Sequence, residues 1–199
     1  MGDSLSAGID GDTAEPWPDR VARALAAEDG DLAFRNLART GATSTDVAIW
    51  QLQEAIEHRP DLVSVVCGGN DVLLSVRPDP DMFAAVLDEI LATLRRRVPD
   101  ARVVTATYPR LATMLPLRER TERRVEAGVE AVNAHIRRLA AQHGATCLEW
   151  AGHAGVDDPD NFASDGLHPS AAGHARASEA FLAALRDIAG PPRDREEDR

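Results

Sequence analysis

Lysine is absent from this 199-residue chain, whose 22 basic residues are all arginine. That absence removes several chemistries. No imine can form on a lysine amine, no pyridoxal cofactor can be anchored, and no phosphate loop with its lysine can be built. Cysteine is scarce as well. Cys67 and Cys147 have no paired Cys or Cys–His spacing near them. A zinc site is therefore not expected, and both are read as buried free thiols, compatible with a reducing compartment. No apolar run approaches a membrane span. No charged-then-apolar leader opens the chain, so a cytoplasmic location is the expectation. Positive charge is short too: the formal net charge is −11. A nucleic-acid or anionic-membrane partner needs a basic surface, so neither is expected. Composition carries no signal for the oligomeric state.

What is present supports a folded domain. The hydrophobic fraction is 44%, and the length suits one domain with a sizeable core. The expected domain runs over residues 1–189. Pro191-Pro192 and the charged run Arg193 to Arg199 read as a disordered tail over 190–199.

Short apolar runs alternate with longer amphipathic ones. Leu32 to Leu37, Leu62 to Cys67, Arg102 to Tyr108 and Thr146 to Trp150 read as strands. Helices are expected over Pro18 to Ala27, Ser44 to Ile56, Asp81 to Val98, Leu117 to His143 and Pro169 to Ile188. Ser44 or Thr45 is the expected cap of the second, and Gly144 the stop of the fourth. Strands alternating with crossover helices imply a parallel sheet covered on both faces. Active sites in such sheets collect at the carboxyl ends of the strands.

That rim is where the reactive residues fall. Ser4 sits in the turn Gly2-Asp3-Ser4-Leu5, and Asp165-Gly166-Leu167-His168 follows the last strand. A serine hydroxyl is a poor nucleophile until a base removes its proton. His168 can act as that base through one ring nitrogen while Asp165 orients the other. The oxyanion formed on attack needs fixed donors. The Ser4 N–H, the Gly41 N–H and the Asn70 side-chain amide are the candidates. Asp3 and Asp71 are read as braces for their loops. The run Asp10-Gly11-Asp12 hints weakly at calcium, but the ligand pattern fails after it. No metal or cofactor is expected.

These four spaced pieces resemble the GDSL hydrolases, also called SGNH hydrolases. Gly2-Asp3-Ser4-Leu5 is similar to the naming motif, and Gly41 to the second-block glycine. Gly68-Gly69-Asn70-Asp71 is similar to the GxND block, and Asp165-Gly166-Leu167-His168-Pro169 to the DxxHP block. The resemblance runs from Gly2 to about Leu185. It implies a three-layer α/β/α sandwich with a flavodoxin-like parallel sheet. It also implies metal-free hydrolysis of small-molecule carboxylic esters or thioesters through an acyl-enzyme.

Only Met1 precedes Gly2, where an apolar strand should lead into the serine turn. Either the start lies upstream or the first strand is missing, so the first strand reads as truncated and this form as less stable. Two rival readings follow. One is an impaired remnant of the fold that serves as a binding module. The other is a phosphate- or nucleotide-binding α/β protein. Substrate specificity belongs to the loops Val72 to Asp81, Arg110 to Leu117 and Ala151 to Ser164. There Leu73, Leu74, Met114, Leu115 and Phe162 could line an acyl pocket or equally belong to the core.

Overall fold

The computed structural model describes residues 1–8, 14–112 and 115–189. The Asp10–Asp12 run, Met114 and the tail over 190–199 lie outside the described residues. Three parallel strands form the sheet in the order β1-β2-β3: β1 is Leu62–Val65, β2 is Arg102–Ala106 and β3 is Thr146–Leu148. Val63 pairs with Val103, and Thr105 with Cys147. The strands are rich in β-branched residues, and the central strand β2 buries both faces. Val63, Val65, Val103 and Val104 are all buried, as expected for parallel strands covered by helices.

Among the described residues, eight α-helices accompany the sheet: α1 (Ser4–Ala7), α2 (Trp17–Asp29), α3 (Ser44–Trp50), α4 (Leu52–Glu57), α5 (Gly69–Leu73), α6 (Pro80–Arg97), α7 (Glu119–His143) and α8 (Ala171–Ala189). α6 packs on α7, with α3, α4 and α5 against this pair, while α2 packs on α8. The α6 stripe Leu87, Ile90, Leu91 and Leu94 is fully buried, as is the α7 stripe Val125, Val132, Ile136 and Leu139. Each such side chain contributes about 1.5–3 kcal/mol by leaving water. α7 ends at Gly144, as its sequence predicts. No helix among the described residues is long and apolar enough to cross a membrane.

Four local expectations are corrected. Residues 32–37 do not form a strand. A strand needs a neighbour on at least one edge. Beside this segment only Met1 and Gly2 reach β1. Gly2 bridges Val66 in parallel, the Met1 carbonyl accepts from the Val66 N–H, and the Gly2 carbonyl accepts from the Arg39 N–H at 3.1 Å. The segment instead borders a groove of about 290 Å³ against the outer edge of β1, lined by Met1, Leu32, Phe34, Leu37, Leu62 and Val63.

The helix expected over Ser44 to Ile56 is interrupted at Gln51, whose side chain turns inward. Its cap is Thr43, which exchanges bonds with Asp46 in a capping box. The last helix starts at Ala171, because Pro169 is taken up in a bridge with Phe162.

The groove makes a stability prediction. The Met1 amino group is buried and bonds the Ser64 carbonyl at 2.8 Å. Burial pushes its pKa down to about 6. An apolar strand of about 5–6 residues joined ahead of Met1 would pair with β1 and replace that buried amine by an amide. The melting temperature is expected to rise by roughly 4–8 °C, equivalent to about 2 kcal/mol for a domain of this size. An unchanged melting curve would contradict this reading of the groove.

Candidate active site

The site is built on the tight turn that opens the chain. Gly2 has φ +155°, and a Cβ there would lie 2.3 Å from the Val66 carbonyl oxygen, so the approach of this turn to β1 requires glycine. The buried Gln51 side chain grips Gly2 from the far side. It accepts from the Gly2 N–H at 2.7 Å and donates to the Gly2 carbonyl at 2.9 Å. Asp3 then caps α1 by accepting from the Leu5 N–H at 3.0 Å. Ser4 follows as the first residue of that helix, so its own N–H has no carbonyl partner within the helix. Ser4 is buried apart from 7% of its surface.

The loop before α8 meets this turn from the opposite end of the chain. His168 Nε2 lies 2.9 Å from Ser4 Oγ. His168 Nδ1 lies 2.6 Å from Asp165 Oδ2. Asp165 Oδ1 accepts from the N–H groups of Leu167 and His168 at 2.9 and 3.0 Å. Partial burial acts to raise the Asp165 pKa. The bonds from the His168 ring and from the two amides outweigh it and hold the carboxyl below its ordinary value. An ionised Asp165 selects the His168 tautomer that carries its proton on Nδ1, which leaves Nε2 free to accept from a hydroxyl. The loop is closed across its base. The Ala163 N–H donates to the His168 carbonyl at 2.8 Å, and the Ser170 N–H to the Asn161 carbonyl at 2.8 Å.

Gly41 and Asn70 are brought together on a third side. Gly41 has φ +79°, which turns the backbone in a way side chains rarely allow. Asn70 sits in the first turn of α5, and its Nδ2 donates to the Ala42 carbonyl at 3.0 Å. One of the two amide hydrogens is thus used to tether the Gly41 turn. Asp71 braces the same turn, accepting from Ser44 N–H at 2.9 Å and Ser44 Oγ at 2.5 Å. The Arg39 bond to Gly2 joins the Gly41 turn to the serine turn.

An apolar pocket of about 110 Å³ lies alongside, lined by Leu5, Trp17, Leu111, Trp150, Phe162 and Leu167 among others. Phe162 is there as the sequence allows. Leu74 is 68% exposed, and Leu73 packs against the core. Trp150 packs edge-on against Trp17, with ring centroids 5.4 Å apart. Both cysteines are free, but only Cys67 is buried; Cys147 is half-buried beside Glu149. Burial pushes both thiols up in pKa, Cys147 to about 12.

Three residues that shape the site were not singled out from the sequence: Gln51, Tyr108 and Asn133. Two of them carried a usable signal. Gln51 falls four residues after Val47 and four before Ala55, on the buried stripe. Asn133 falls four after Val129, on the buried stripe of α7. A polar residue at a core position is rare unless it bonds something. Tyr108 lay inside a predicted strand end and gave no such sign.

The architecture is that of an α/β hydrolase with a parallel sheet between two helical layers. The chain belongs to the GDSL-like lipase/acylhydrolase family, whose model matches residues 1–176, and it is a carboxylic ester hydrolase. Esterase TesA from Pseudomonas aeruginosa is 28% identical over 190 residues, covering 94% of this chain and 87% of that protein. The crystal structure of LAE5, an α/β hydrolase enzyme from the metagenome of Lake Arreo, Spain, superposes with a TM-score of 0.70. It is 26% identical, with 92% of this chain and 91% of that chain covered. A putative GDSL-like lipase from Parabacteroides merdae shares the fold at a TM-score of 0.78, with 16% identity and 92% of both chains covered.

Proposed function

We propose that this esterase cleaves carboxylic esters or thioesters through an acyl-enzyme on Ser4. Ser4 Oγ attacks the carbonyl carbon as its proton passes to His168 Nε2. The carbonyl oxygen becomes an oxyanion facing the N–H groups of Ser4 and Gly41 and the side-chain amide of Asn70. Collapse expels the alcohol or thiol, which takes the proton from His168. A water then gives its proton to His168 and attacks the acyl carbon, releasing the acid and restoring Ser4. Asp165 stays ionised throughout and stabilises the imidazolium.

The observation that carries this reading is the unbroken chain Ser4–His168–Asp165 at 2.9 and 2.6 Å, assembled from residues 164 apart. Titration with an organophosphonate probe tests it. One equivalent should attach, on Ser4, with loss of esterase activity. An active protein that takes no label on Ser4 would overturn the assignment of Ser4 as nucleophile.

The pocket beside Leu5 and Leu167 makes a second prediction. Its volume of about 110 Å³ is below the roughly 150 Å³ of a cavity that holds benzene. Leu5 and Leu167 adjoin Ser4 and His168 in sequence, so a short acyl group is the fitting occupant. Acetyl to butyryl p-nitrophenyl esters should exceed the decanoyl ester in kcat/KM by at least about 10-fold, because the roughly six to eight extra methylenes do not fit a fixed pocket of this size. A rate that climbs with chain length would place the acyl group elsewhere.

A further inference from the structure

Asp3 is a buried carboxylate, 2% exposed, that no acyl-transfer step uses. Its Oδ1 accepts from the Leu5 N–H at 3.0 Å, and its Oδ2 accepts from the Tyr108 hydroxyl at 3.1 Å. The Tyr108 ring also packs against Gly69, the residue before Asn70, where an added Cβ would lie 3.0 Å from Tyr108 Cε1. Asn133 on α7 fixes the tyrosine from behind. It accepts from the Tyr108 N–H at 2.7 Å and donates to the Tyr108 carbonyl at 2.8 Å. One phenol thus joins the serine turn to the Gly69–Asn70 turn.

We propose that Asp3 and Tyr108 form a positioning clamp that aligns Ser4 with the Asn70 turn, and that the clamp is tightest while Asp3 is ionised. This rests on Ser4 being the nucleophile. An ionised Asp3 offers acceptors to both of its donors. Protonation removes that charge. The Tyr108 hydroxyl can then turn and accept from the acid, but the α1 cap and the tyrosine bond both fall from charge-assisted to neutral bonds of about half the strength, beside Ser4.

The surroundings place this proton in a working range of pH. Burial raises the Asp3 pKa to about 6, against the lowering effect of the Leu5 and Tyr108 bonds. Asp71 on α5 also raises it, and the His168 ring lowers it. Cys67 at the end of β1 also faces Asp3, and the Met1 amino group lies beside that thiol. Asp3 must lose its proton for the turn to be held at full strength. The acid limb of log kcat/KM against pH should therefore carry the ionisation of Asp3 in addition to that of the base.

The test compares the wild type with Asp3→Asn and Tyr108→Phe. Each is followed by pH-stat hydrolysis of a butyrate ester, by the melting curve and by phosphonate labelling. Asp3→Asn should lose roughly 10²-fold in kcat through misalignment, with KM little changed. Its acid limb should lose the Asp3 ionisation and become shallower. Tyr108→Phe removes a bond that favours the carboxylate, so its acid limb should move upward by roughly half a pH unit. An acid limb in Asp3→Asn identical to wild type would overturn the proposal. Should that variant fail to fold, an unmoved limb in Tyr108→Phe would overturn it equally. A wild type that is active but unlabelled at Ser4 would overturn the nucleophile assignment, and the clamp with it. That outcome is distinct from a labelled protein whose acid limb ignores Asp3.

Discussion

Ser4→Ala is expected to lower kcat by roughly 10⁵–10⁶-fold and to abolish covalent labelling. The attacking oxygen is gone, and no other hydroxyl among the described residues bonds the His168 Nε2 atom. The fold should survive. Ser4 Oγ is bonded to His168, and one such bond contributes about 1 kcal/mol. A melting shift within about 2–4 °C follows for a domain of this size. His168→Ala should lose a comparable amount, and the double variant should lose little more, because nucleophile and base act as one unit. Additive losses would mean that the two side chains work in separate steps. Turnover like the wild type in Ser4→Ala would remove the assignment altogether.

Asn70→Ala is expected to lower kcat by about 10²–10³-fold, with a smaller change in KM, since a donor aimed at the oxyanion matters most once charge develops. The structure adds a complication that can be separated. Asn70 also tethers the Gly41 turn through Ala42. Asp71→Asn weakens the neighbouring tether to Ser44 while leaving the Asn70 amide in place. If direct donation dominates, Asp71→Asn should cost far less than Asn70→Ala. Equal losses would make Asn70 a brace for the turn, and a change confined to KM would make it a substrate-binding group.

Much of this arrangement could be read from the sequence because its parts are local. The serine turn, the Asn70 turn and the Asp165–His168 loop are each a few residues long and keep their spacing whatever surrounds them. A three-residue separation lets Asp165 hold both the ring and the backbone N–H of His168. The three strands over 62–65, 102–106 and 146–148 were legible from apolar, β-branched runs. The long helices were legible from their three- and four-residue spacing. What failed depended on partners distant in sequence. Leu32 to Leu37 has a strand-like pattern, but pairing is decided by what lies beside it, and among the described residues no backbone ladder forms there; just past it the Arg39 N–H bonds the Gly2 carbonyl. Gln51 leaves its helix because it binds the backbone of Gly2, 49 positions away. Tyr108 meets Asp3 across 105 positions, a contact that no local pattern announces.

The central claim is that the acyl group passes through Ser4, and trapping that intermediate tests it most directly. Wild-type protein would be mixed with excess butyryl p-nitrophenyl ester, quenched in acid within the first turnovers, digested and examined by mass spectrometry. A butyryl mass increment is expected on the peptide that begins at Met1, located at Ser4, with a matching burst of p-nitrophenol of about one equivalent. Full turnover with no acylated peptide and no burst, under conditions where deacylation is slower than the quench, would contradict it.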